Sequence, residues 1–63
     1  MNDSEDRLAL AERVRAACIE AALAGYENAA VAGLCGEGAL EVAISAMRQV
    51  DIDAIVARGP RDD

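Results

Sequence analysis

Along the first half of this chain, Leu8, Ala11, Arg15, Cys18, Ala22, Gly25, Ala29 and Ala32 recur at alternating intervals of three and four. That spacing stacks side chains in one stripe of an α-helix. Most of the stripe is alanine, glycine or cysteine, so a second helix can approach it unusually closely. Larger apolar side chains flank it, with Leu8, Ile19, Leu23 and Tyr26 along one edge and Leu10, Val14 and Val31 along the other. Glu5, Glu12, Arg13, Glu20 and Glu27 fall on the side away from the stripe. An apolar face this wide exceeds one helix contact. It predicts two neighbours for the helix, such as a second helix of the same chain and a partner chain.

The same pattern places the first helix over 4–32. Asp3 or Ser4 can cap it, Glu5 and Asp6 suit the positive end of its dipole, and residues 1–3 read as a frayed start. No proline interrupts it, and the internal Gly25 costs only about 1 kcal/mol of helix propensity. Gly33, Gly36 and Gly38 then mark a short connection, in which glycine supplies the positive φ of a helix C-cap and tight turn. A connection this short sets the two helices antiparallel. Leu34 and Cys35 read as apolar plugs beneath the turn. A second helix over 37–50 carries Leu40, Ala43, Ile44, Met47 and Val50 on one face, with Glu41, Ser45 and Arg48 facing outward. Asp51 and Asp53 offer N-caps for a short third segment over 52–58, which has Ile52, Ile55 and Val56 on one side and is stopped by Gly59 and Pro60. The chain thus reads as all-α: one helical-hairpin domain over 1–59 and a disordered tail over 60–63.

Composition changes this picture in one respect, the size of the core. The chain has 63 residues, of which 54% are hydrophobic, but fifteen of these are alanine, which favours helix while contributing little burial. A chain this short covers only about 60% of its unfolded surface, and small domains of this kind usually rely on disulfides, metal or oligomerisation. Covering the small-residue stripe with a second copy, in an antiparallel four-helix bundle, is the simplest remedy. The net charge of −6, with all six basic residues arginine and scattered, argues against nucleic acid as a partner, because phosphate contacts need clustered cations. The acidic start is unlike a secretory leader. The most apolar stretch, 16–36, is interrupted by Glu20, Glu27 and Asn28, so no membrane span is expected and the reading is cytoplasmic.

Candidate chemistry is sparse. With no histidine and only Cys18 and Cys35, one chain cannot complete a tetrahedral zinc site from thiolates and imidazoles; two copies could bring four thiolates together. Cys18 lies on the stripe, where a free thiol behaves as a small hydrophobe. Cys35 stands beside a helix start, which can lower a thiol pKa. A bridge between them is disfavoured, since the helix runs roughly 22 Å from Cys18 to Gly33 at about 1.5 Å per residue. The Gly33–Gly38 segment matches no phosphate-loop pattern, and no lysine exists to meet a phosphate. Glu20, Glu27 and Glu41 lack the histidine partners of a bundle metal site and read as solvated. Arg15 either snorkels out of the packed face or pairs with an acidic group across an interface and so specifies register.

These readings converge on a small non-enzymatic interaction protein with no cofactor. It would act as a homodimer, or as an accessory subunit docked on a larger complex, through the small-residue face of its first helix. The expected contacts are Leu10, Val14, Arg15, Cys18, Ile19, Ala22, Leu23, Gly25, Tyr26, Ala29 and Val31. The competing expectation is thiol-based redox sensing or metal binding through Cys35 and Cys18 in an oligomer.

Overall fold

Three helices follow one another in the computed structural model of the chain, which describes residues 3–58: α1 (Asp3–Val31), α2 (Gly36–Arg48) and α3 (Ile52–Arg58). The expected tail over 60–63, and the Gly59–Pro60 stop, lie outside the described residues. The molecule measures 49 × 16 × 16 Å. Its long axis is that of α1, whose 29 residues span about 43 Å at 1.5 Å per residue.

α1 ends as its sequence dictates. The Leu34 amide donates to the Ala29 carbonyl and the Gly33 amide to the Ala30 carbonyl, each at 3.0 Å. This is the paired closure in which the residue just past the helix must be left-handed, and Gly33 has φ 97°. The chain reverses at once, Cys35 becomes the first half-helical residue of α2, and α2 runs back along α1. Several boundaries differ slightly from the periodicity: α1 spans Asp3–Val31 rather than 4–32. α2 begins at Gly36 rather than 37 and ends at Arg48 rather than 50, because Gln49 and Val50 close the last turn with tighter bonds to Ala46 and Met47. Asp51 then starts α3 as a true N-cap, its Oδ1 accepting from the Ala54 amide at 3.0 Å.

The interface between α1 and α2 is built from the smallest side chains available. Among the described residues only Ala29, Ala39 and Ala43 are buried, at 5%, 1% and 5% exposure. A methyl group on Gly25 would lie 3.1 Å from Ala46 Cβ and 3.3 Å from the Val42 carbonyl oxygen. The stripe from Cys18 to Ala29 is therefore covered by α2 itself. This contact also decides which side of α2 turns inward. Ala39 and Ala43 are buried, whereas Leu40, Ile44 and Met47 stay exposed, since larger groups at the contact would hold the backbones apart.

Leu34 and Cys35 are exposed rather than tucked under the turn. Leu34 lies over the first turn of α2 instead, with its Cδ2 3.4 Å from where a Gly38 Cβ would stand.

These packing distances generate a contrast. Gly25→Leu forces the helices apart and should cost about 3 kcal/mol or more, as overpacking of a tight contact does. Gly38→Ala meets only ordinary contacts with Leu34 and should raise stability by about 0.5–1 kcal/mol through helix propensity. Thermal unfolding followed by circular dichroism reads both signs.

Candidate interaction surface

α1 does have two neighbours, and both belong to its own chain. α2 takes the stripe from Cys18 to Ala29. α3 packs on α1 and not on α2, near Arg13, Ala16, Ala17 and Glu20, and the adjoining edge of α1 carries Leu10 and Val14, both half-buried. Arg13 fastens it: its Nη2 donates to the Ile55 carbonyl oxygen at 2.8 Å. That carbonyl is among the last four of α3, which have no acceptor role left within the helix, and a cation there also suits the helix dipole. A seven-residue helix is too short to hold itself in water. Asp51 at one end and Arg13 at the other provide what its own turns do not.

Arg13 is the residue that the periodicity misplaces. Its helical angle sets it opposite the small-residue stripe, among the outward charges, and that holds as long as only one face of α1 is covered. Because the chain crosses to the neighbouring edge at 49–51, the angle becomes a packed position. The available signal is its placement between Leu10, Val14 and Ala17, at spacings of three, one and four.

Beside this junction Arg13, Ala16, Ala17, Glu20, Ile55 and Arg58 line a cleft of 380 Å³ that opens broadly to solvent. Its volume would suit a small ligand, but such sites enclose most of their ligand, and this one is an open notch at a helix crossing.

Among the described residues the other edge of α1 has no neighbour. Ile19, Leu23 and Tyr26 lie there, and the antiparallel arrangement turns Leu40, Ile44 and Met47 of α2 to the same broad side of the hairpin. All six are between 37% and 62% exposed. Tyr26 leans toward the start of α2, its hydroxyl 3.9 Å from where a Gly36 Cβ would be. Toward the N-terminal end the same side continues through Leu8, Ala11 and Arg15, all exposed. Arg15 stands with most of its side chain in solvent and pairs with Glu12 one turn back at 3.8 Å, an exposed contact that contributes little to stability.

The expected contact residues thus divide into three groups, with Val31 apart from them. Cys18, Ala22, Gly25 and Ala29 face α2, while Leu10 and Val14 lie on the edge adjoining α3. Arg15, Ile19, Leu23 and Tyr26 form the open face, and Val31, 89% exposed, projects near the turn. Both cysteines are free, Cys18 half-buried and Cys35 exposed. Among the described residues no group of three or more His, Cys, Asp or Glu side chains is placed to hold a metal ion, and no helix is long and apolar enough to cross a membrane.

Neither a family model, nor a curated protein, nor a solved structure matches this chain.

Arg13→Leu removes the fastening of α3. Amide exchange in 54–58 should accelerate several-fold while protection over 18–29 is kept, a local opening that hydrogen exchange resolves residue by residue. Equal loss in both segments would show that α3 is not separately held. Under native conditions Cys35 should react with an aromatic disulfide reagent at the rate of a free thiol, and Cys18 several-fold more slowly.

Proposed function

We propose that the chain is a small non-enzymatic interaction protein whose open hairpin face docks against another helix, in a homodimer or as an accessory subunit of a larger complex. The observation that carries this reading is the inverted distribution of apolar size. The buried positions are alanines, and six large side chains remain about half exposed on one side. Soluble monomers rarely present a contiguous apolar patch of this kind, and such patches mark interaction sites.

The magnitudes agree. Full burial of a large apolar side chain is worth roughly 1.5–3 kcal/mol, so covering the exposed halves of six on each of two molecules recovers on the order of 10 kcal/mol. Association costs an estimated 4–15 kcal/mol. The assembly is therefore reversible and depends on concentration. The recognition mode is a helix laid into an apolar groove, with anchors spaced by three and four: Ile19, Leu23 and Tyr26 on one wall, Leu40, Ile44 and Met47 on the other.

The test is the mass of the complex recovered from a native extract, compared between the unchanged chain and Leu23→Glu. Leu23 is 62% exposed, so the substitution leaves the hairpin's own contact intact. A mass well above 6.5 kDa that collapses to the single chain in the variant is the expected result. An assembly indifferent to Leu23→Glu, or a lone chain in both samples, overturns the reading.

A further inference from the structure

We propose that α2 and α3 are two parts of one helix held apart at Asp51, and that the chain has a second state in which they join into a continuous helix over 36–58.

The first argument is the break itself. No glycine or proline stands between Gly38 and Gly59, so no residue at 49–51 forbids helix by its covalent structure. The departure is one of local geometry. Gln49 has φ −92° and ψ 0°, and two amides that a continuous helix would bond four residues back turn to nearer acceptors. The Ile52 amide donates to the Val50 carbonyl and the Ala54 amide to Asp51 Oδ1, each at 3.0 Å. In a joined helix the same amides reach the carbonyls of Arg48 and Val50. The break is therefore held by two side chains. Asp51 supplies an acceptor that competes with the helical one, and Arg13 grips the Ile55 carbonyl in the broken register.

The second argument is the line of residues that α2 turns toward α1. It runs Ala39, Ala43, Ala46 and Val50, buried or half-buried throughout. Continued at helical spacing it reaches Ala54 and Ala57, two more side chains small enough for close approach. Yet Ala54 and Ala57 are exposed, and Ile55 is the half-buried residue of α3. The break thus turns α3 off the alanine line by one residue, roughly 100° of helix. A joined helix restores that line against α1 from Ala39 to Ala57.

Joining also changes the surface. Ile55 leaves α1 and comes into line with Ile44, three helical turns away, so the apolar side formed by Leu40, Ile44 and Met47 lengthens, and Arg13 loses its carbonyl partner. The two states are set by the backbone and the alanine line alone, whatever docks on the open face.

The sign of a second substitution tests the joint. Arg13→Leu alone frees α3 and speeds amide exchange over 54–58. Adding Asp51→Ala removes the acceptor that holds the break and places the best helix former there. Exchange over 54–58 should then slow about tenfold relative to Arg13→Leu alone, and Cα chemical shifts at 49–52 should become helical. Asp53→Ala added to Arg13→Leu brings the same gain in propensity but keeps the Asp51 cap, and should leave the shifts at 49–52 unchanged. A thiol placed by Ala57→Cys, with Cys18→Ala and Cys35→Ser, should react several-fold more slowly once Asp51→Ala joins Arg13→Leu, because the alanine line then faces α1. Further acceleration over 54–58, as loss of a cap from a separate short helix gives, overturns the proposal. An equal response to Asp53→Ala, or a thiol at 57 that stays fully reactive, does the same.

Discussion

The near-contact of two backbones at Gly25 governs the whole molecule. With Ala46 Cβ 3.1 Å and the Val42 carbonyl 3.3 Å from where a side chain would begin, α1 and α2 approach too closely there for a side chain to fit without a shift. Such an approach gains dispersion contacts along the full length of the pair, and it excludes every large side chain from the line of contact. The apolar groups that would normally fill a core are pushed to the two edges. One edge receives α3, and the other, with Ile19, Leu23, Tyr26, Leu40, Ile44 and Met47, receives no other described element. The open apolar face is thus a consequence of how the hairpin closes.

That arrangement separates two tasks which larger domains combine. Local geometry is secured by backbone devices: the left-handed Gly33 with its paired bonds to Ala29 and Ala30, the Asp51 cap, and the Arg13 bond to Ile55. Hydrophobic burial, which dominates folding in most domains, is small within one chain, because three alanines contribute far less than one buried leucine or phenylalanine. Secondary structure and turn are therefore well specified, while little apolar burial is secured among the described residues. Chains below the size at which a single core suffices commonly meet such a shortfall with disulfides, metal or oligomerisation.

Much of this was legible in the order of the residues. The three helices, their approximate ends and the glycine turn follow from periodicity and capping, because these are local properties. The stripe running through Cys18, Ala22, Gly25 and Ala29 was legible as a site of close helix approach. Its occupant was not, since spacing within α1 carries no information on whether the covering helix comes from the same chain. The inward side of α2 was obscured for a related reason: Ala43 was legible on the apolar face, but ranking by hydrophobicity sets Leu40, Ile44 and Met47 beside it, and only the closeness demanded by Gly25 selects Ala39 in their place. Arg13 was hidden by geometry of a longer range, the crossing of the chain at 49–51. Leu34 was misplaced because it packs on the first turn of α2 and not beneath the connection.

The central claim is that the hairpin depends on cover for its open face. Sedimentation equilibrium and far-ultraviolet circular dichroism of the purified chain, across a dilution from about 100 μM to about 1 μM, test it most directly, since folding coupled to association follows mass action. The account predicts a mass near twice 6.5 kDa at the upper end, falling on dilution together with the helical signal. A constant mass of one chain with undiminished helix over the whole range would contradict it.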